Sequence, residues 1–405
     1  MQNLSQRWAR LGPGLLFAAA AIGVSHLVLS TQAGGQYGFG LFWLLILAHL
    51  AKYPFFEFAL RYAQKTGKTL LQGYQELGQW VLLLFIGLTL GTMFSVQAAV
   101  SFVSAALAGP ILGLNQPLYM SAGLLVFAAV ILLWGQYKLL DQLMKYMVFS
   151  LSILTLLALL RLLFRPLPEI DYMPFFSLEA SHLAFIIAFA GWMPAPLDLS
   201  VWQSIWTLEK KKNQADFGWK EAQFDFQLGY GVSIFLACCF MALGAILLAG
   251  SDFPQKALAF AQQLLKVYEE ALGPWAAIWV SWAAFICMFS TLITCLDALS
   301  RTMGQAMELA FPNSSFWHRQ GLWIAVLIGG ALLIIFAFLQ AMGQLIFIAT
   351  ALSFLSTPFF AWANSRLAFS LPKEDAPSPK FRYLAYFAGG FLLLFCGLYL
   401  FSLLG

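Results

Sequence analysis

The sequence predicts an all-α integral membrane protein of eleven transmembrane helices. The first ten are expected to form two inverted five-helix repeats, with the first and sixth helices unwound at mid-depth. Three observations lead there. Of 405 residues, 61% are hydrophobic and only 10% charged, with a mean hydropathy of +0.79, whereas soluble domains carry roughly 25% charged residues. Eleven apolar runs approach or exceed the roughly 20 residues that cross a bilayer. Two of these runs, five apart, are interrupted by helix-breaking residues. The composition excludes an ordinary cytosolic enzyme, a disordered chain and a nucleic-acid partner.

The runs fall at 12–32, 40–62, 80–109, 118–135, 144–164, 181–205, 228–249, 274–298, 320–338, 342–368 and 382–404. Arg7 and Arg10 precede the first, but ten comparable runs follow, so it reads as a span and not as a cleaved leader. The first repeat is expected over 1–165, its inverted counterpart over 166–370, and the eleventh helix over 371–405. Basic residues set the orientation. Only Arg161, Arg165, Lys256 and Lys266 fall in one set of connections and Lys52 lies within the second run; the other seventeen of 22 lie on the opposite side. This asymmetry places the N-terminus in the cytoplasm and the C-terminus outside, in a bacterial inner (plasma) membrane. Between the seventh and eighth runs, residues 253–271 start with Pro254 and place Leu258, Phe260, Leu264, Leu265 and Val267 among polar residues. That pattern predicts an amphipathic helix lying across the outer face, as a cover or as a gate. The five cysteines sit in apolar runs without CxxC spacing, so neither disulfides nor structural zinc are expected.

The first run carries Gly23-Val24-Ser25-His26 near its middle, and the sixth carries Gly191, Pro194 and Pro196 within six residues. Two prolines so close remove backbone donors and open the helix, and open backbone at membrane depth must be buried in protein or face a water-filled cavity. A single proline is often only a kink. Two breaks five spans apart imply the five-plus-five plan of LeuT-type transporters, with a substrate held between them.

Particular residues then resemble a known family. Gly12-Pro13-Gly14, Ala33-Gly34-Gly35-Gln36-Tyr37-Gly38, Thr66-Gly67 and Met193-Pro194 are similar to the Nramp divalent-metal transporters, as are the eleven runs and the outer helix. That family holds its metal with an Asp and an Asn in the first break, and with an Ala carbonyl and a Met sulfur in the sixth. The resemblance places Gly23 at the Asp, His26 at the Asn, and Ala190 and Met193 at the Ala and Met. The anionic ligand is thus replaced, and the His that follows Met-Pro in the family is Ala195. Residues 80–109 lack acids and 320–338 lack basic residues, where many family members carry proton-pathway charges. The resemblance implies a divergent, Nramp-related secondary transporter.

A buried divalent cation normally has a carboxylate to offset its desolvation. Ser25, His26, the Ala190 carbonyl and Met193 supply none, although imidazole and thioether suit late transition metals. The half-helices resuming after each break present N–H groups with about half a positive charge, a ready anion site. The leading expectation is therefore a small inorganic anion such as bicarbonate, held among Gly23, Ser25, His26, Ala190, Gly191, Trp192 and Met193. A divalent metal (Mn-, Fe- or Mg-like) is the alternative. His26 is also open to a purely packing role.

An anion entering a negative-inside cell climbs about 2.3 kcal/mol per 100 mV, so a coupling ion, Na⁺ or H⁺, is expected and no other cofactor. Ser290, Thr294 and Asp297 share one helical face of the eighth run, with Thr291 beside them. By resemblance to LeuT-type carriers, sodium sits between such hydroxyls and the Ala20, Ala21 and Val24 carbonyls. Asp297 is equally placed to pair with Arg301. Lys52, Glu57 and Asp198 are candidates for an inner gate or proton path, with Glu57–Arg61 spaced for a helix-end ion pair. No catalytic motif appears and the four histidines lie in separate segments, so no enzyme is expected. The partners are the transported ion and the lipid bilayer; the oligomeric state is left open.

Overall fold

The computed structural model describes residues 12–114, 116–134, 137–162, 164, 170–214, 216–250, 254 and 257–402, and no strand occurs among them. Spans are numbered in sequence order. Span 1 comprises Pro13–Ala21 and Ser25–Tyr37, bent by 46° at the break. Spans 2 to 5 are Phe42–Thr66, Gln79–Leu112, Pro117–Leu133 and Tyr137–Leu162. Span 6 comprises Ala180–Trp192 and Leu199–Asn213, and spans 7 to 9 are Trp219–Leu247, Pro274–Ala310 and Gln320–Ala337. Span 10 joins Met342–Leu355 to Thr357–Phe369, and span 11 is Pro379–Ser402. Seven described helices are long and apolar enough to cross a membrane, and the bent pair of span 1 makes an eighth. Shorter apolar helices, Pro117–Leu133, Phe149–Leu162 and His182–Trp192, stand where the fourth, fifth and sixth runs were expected.

Some elements exceed the apolar runs. Span 8 continues past 298 to Ala310, because Leu299, Met303 and Ala306 keep a buried stripe while polar residues such as Ser300 and Arg301 interleave. A hydropathy window ends at charges; the helix does not. The short helix Leu70–Leu77 follows a Thr69–Gln72 capping box and buries Tyr74, whose hydroxyl donates to Asn364 at 2.6 Å. Between spans 7 and 8, the helix Ala257–Leu272 is amphipathic as expected. It buries Ala261, Leu264, Val267 and Tyr268 against spans 3, 5 and 8, with the Tyr268 hydroxyl 2.8 Å from that of Thr155.

Span 1 is seated on span 7 along its whole length. Span 7 presents Asp225, Gly229, Ser233, Ala237, Met241 and Ala245, one residue per turn. The Asp225 carboxylate accepts from the Gly14 amide at 2.6 Å and the Gly12 amide at 3.1 Å, which caps the start of span 1. A Cβ on Gly14 would stand 2.0 Å from the Asp225 carbonyl oxygen, and one on Gly229 the same distance from that of Gly14. At the far end, a Cβ on Gly34 would stand 1.9 Å from the Met241 carbonyl oxygen, and one on Gly244 1.9 Å from that of Thr31. Small residues let membrane helices approach this closely, and polar side chains then bond across. Ser30 Oγ donates to the Ala237 carbonyl at 2.6 Å. Gly14 and Gly34, one from each of the two sequence motifs at the ends of span 1, are thus packing surfaces.

Candidate functional site

Span 1 stops being α-helical after Ala21 and resumes at Ser25 through a π-helical turn, Ser25–Ser30. Span 6 stops at Trp192 and resumes at Leu199. The two openings touch: the Ser25 hydroxyl lies 3.3 Å from the Pro194 carbonyl oxygen. Between them is a cavity of about 40 Å³, lined by Ala20, Ala21, Val24 and Ser25 of span 1, by Trp192, Pro194, Ala195, Pro196, Leu199 and Trp202 of span 6, by Val96 and Val100, and by Thr291 and Cys295. On that measure one water needs about 10–15 Å³, so there is room for a small ion or for a few waters. No carboxylate is among the lining residues.

Breaking a helix leaves carbonyls without intrahelical donors, and buried polar groups need partners. In the first break, side chains supply them. Cys287 Sγ donates to the Ile22 carbonyl at 3.0 Å and Thr291 Oγ1 reaches the Ala19 carbonyl at 3.3 Å, while the Ala21 carbonyl accepts from the Gly23 amide at 2.8 Å. In the sixth break the donor is Lys52 of span 2. Its ammonium lies 2.5 Å from the Gly191 carbonyl oxygen and 3.0 Å from that of Ala195, and the side chain is fully buried.

His26 is turned away from the cavity. Its Nε2 lies 2.9 Å from the Ser233 carbonyl oxygen on span 7, which can only accept, so the ring proton sits on Nε2. Nδ1 then faces the Ser25 hydroxyl at 2.7 Å. His26 is one rung of the span 1–span 7 seam, the packing role left open above. Gly23 faces Thr291: a Cβ there would stand 3.1 Å from Cγ2 and 3.2 Å from Oγ1. The backbone position matched to the family's Asp is therefore walled by span 8. Gly191 lies against span 10, where a Cβ would meet Thr350 O and Phe354 Cβ at 2.9 Å. Ala190 and Met193 are buried in the core and do not line the cavity. Of the expected substrate residues, only Ser25 and Trp192 do.

The expected coupling set divides similarly. Ala20, Val24 and Thr291 line the cavity. Ser290 and Thr294 are buried beside it on span 8, and the Ser290 hydroxyl has no partner among the described residues. Asp297 is committed elsewhere, with both carboxylate oxygens 2.9 Å from Arg301 and one 2.9 Å from Gln320; Arg301 also pairs with Glu209. The face of span 8 turned to span 1 is Cys287-Thr291-Cys295, not Ser290-Thr294-Asp297. The offset is one residue, or 100° of helix rotation. Cys287 and Cys295 were legible only as thiols in an apolar run, although their four-residue spacing about Thr291 marks a common face.

Glu57 pairs with Arg61 at 3.0 and 3.2 Å, and Arg61 continues to the Asp375 carbonyl at 2.9 Å and over the Trp219 ring. It is a helix-end clamp. Asp198, buried, opens the half-helix Leu199–Asn213, and its Oδ1 has no hydrogen-bond partner among the described residues. Asp225, the cap of span 1, was not singled out by sequence; an acid in an apolar run signals a role but not its partner.

Known proteins match this architecture. The model of the family described as natural resistance-associated macrophage protein-like (Nramp) matches residues 14–401. An uncharacterized protein of Pasteurella multocida is 35% identical over 371 residues, spanning 89% of this chain and 85% of its own. Among solved structures, a manganese transporter of Eremococcus coleocola, in complex with an aromatic bis-isothiourea substituted compound, superposes with a TM-score of 0.66 at 13% identity. That match covers 98% of this chain and 87% of the other. MhsT in complex with L-phenylalanine superposes with a TM-score of 0.60 at 13% identity, covering 96% and 98%. With two opened helices facing each other across a small buried cavity, and with the family model matching nearly its whole length, the chain belongs to the Nramp family.

Proposed function

We propose that this Nramp-family transporter moves a small inorganic anion, bicarbonate being the leading candidate, by alternating access about the cavity between the two breaks. The observation that carries the reading is the Trp192 indole. Its Nε1–H is buried without an acceptor among the described residues, and the residue lines a cavity whose lining includes no carboxylate. An unmet buried donor costs about 1–3 kcal/mol, and an anion is one class of ligand whose acceptor oxygens remove the cost. Pro196 and Leu199, at the N-terminus of Leu199–Asn213, also line the cavity; the amides of Leu199, Ser200 and Val201 already meet carbonyls, so that helix offers an anion its dipole rather than free donors.

Replacing Trp192 by Phe keeps the ring and removes the N–H. Bicarbonate uptake into proteoliposomes is expected to fall about tenfold, the worth of a hydrogen bond to a charged group; uptake at the wild-type rate contradicts the reading.

Sodium is proposed as the coupling ion, with protons second. Thr291 Oγ1 already stands against span 1, and a sodium ion entering among the Ala20 and Val24 carbonyls would take over that contact. Divalent-metal transport is the second reading. It is favoured by membership of the Nramp family and by the likeness to a protein named as a manganese transporter.

A further inference from the structure

We infer that Lys52 is a tethered cation: its ammonium occupies the carbonyl end of the sixth break in place of a mobile metal ion and sets selectivity for anions. The inference rests on the proposed anion reading and deepens it. In a broken membrane helix, the carbonyl end of the first half is the place where a cation binds and the amide end of the second half is the place where an anion binds. Here the carbonyl end is taken. The Lys52 ammonium lies within 3.0 Å of the Gly191 and Ala195 oxygens, and Ala195 lines the cavity.

An ammonium has three N–H donors. Two are used on these carbonyls, and no ion pair to Lys52 is found among the described residues. Full burial of such a group is costly unless it is compensated. Two carbonyl dipoles compensate in part, and the remaining positive field falls on the cavity. Asp198, buried at the other side of the same break, is a negative charge that acts on it without an ion pair between the two. A divalent ion brought to the Gly191–Ala195 turn would meet the ammonium at contact distance, with twice the repulsion of a monovalent ion. An anion in the cavity would instead be attracted by the ammonium. The span 2 helix holds Lys52 rigidly in this position, since its neighbours Ala51, Phe55 and Phe56 are buried in the core.

The test uses the full chain in proteoliposomes and in detergent, as wild type, Lys52→Arg and Lys52→Met. Labelled bicarbonate uptake, quenching of a trapped dye by Mn²⁺, and thermal stabilisation by Mn²⁺ are measured for each. Wild type is expected to take up bicarbonate with no response to Mn²⁺. Lys52→Met is expected to lose about tenfold or more of the bicarbonate flux and to gain stabilisation by Mn²⁺. Lys52→Arg, which keeps the charge, is expected to retain most of the flux and to stay unresponsive to Mn²⁺. Bicarbonate flux in Lys52→Met equal to wild type overturns the inference while leaving the anion reading intact. Lost flux in a folded Lys52→Met without any Mn²⁺ response overturns it too, since a merely structural lysine would behave so. If Lys52→Met does not fold, Lys52→Arg decides: Mn²⁺ stabilisation of that variant overturns the inference, and retained anion flux without it supports the inference. Mn²⁺ transport by the wild type without bicarbonate uptake instead defeats the anion reading on which the inference rests.

Discussion

Gly23 and Thr291 are fitted to one another. A Cβ at Gly23 would lie 3.1 Å from Thr291 Cγ2, so even one methyl group pushes on span 8. Gly23→Ala is expected to destabilise by about 1–3 kcal/mol, as overpacking does, and Thr291→Ala to relieve most of that. Thermal unfolding of the two single variants and the double variant checks it; additive losses would contradict the contact. His26 makes a different prediction. It bridges Ser25 and the Ser233 carbonyl, so His26→Ala should lower the unfolding temperature, through a loss of about 1–3 kcal/mol for the orphaned carbonyl. The KM of the remaining flux should stay near the wild-type value, and a KM raised tenfold at unchanged stability would return His26 to the cavity. The sequence places a histidine at the break, but adjacent residues of a helix point 100° apart. Only the structure shows that Ser25 faces the cavity and His26 the seam.

At the scale of elements, spans 1 and 7 behave as one packed pair. Their glycines meet opposing backbone at distances no Cβ tolerates: Gly14 and Gly229 at one end, Gly34 and Gly244 at the other. Alanine at Gly34 or Gly244 is expected to cost several times more stability than alanine at Gly329 of span 9. A Cβ there meets nothing within 4 Å. Comparable losses at Gly329 and Gly34 would contradict the seam. The apolar runs made the spans legible, and Gly191 with Pro194 and Pro196 made the sixth break legible, because helix propensity and donor loss are local properties. The seam was not. Asp225, Ser233 and Ala237 acquire meaning only from the residues of span 1 opposite them, more than 200 positions away in sequence. The span 8 stripe was missed for the same reason, since three faces of that helix carry small or polar residues and contact chooses among them.

Across the whole molecule, the interior charges sort by function. Glu57–Arg61 and Asp297–Arg301–Glu209 tie helix ends together, whereas Lys52, with no ion pair among the described residues, brings a cation to the backbone carbonyls of the break. The sequence resemblance sets Gly23 against the family's acid; the contacts of Lys52 from span 2 were not legible, because its partners are backbone carbonyls without sequence identity. The proposed consequence is a substrate site of inverted sign on the Nramp fold. The most direct measurement is a paired flux assay in one batch of proteoliposomes, following labelled bicarbonate and a dye quenched by Mn²⁺. The account predicts bicarbonate uptake above that of empty liposomes with no quenching; rapid Mn²⁺ quenching without bicarbonate uptake would contradict it.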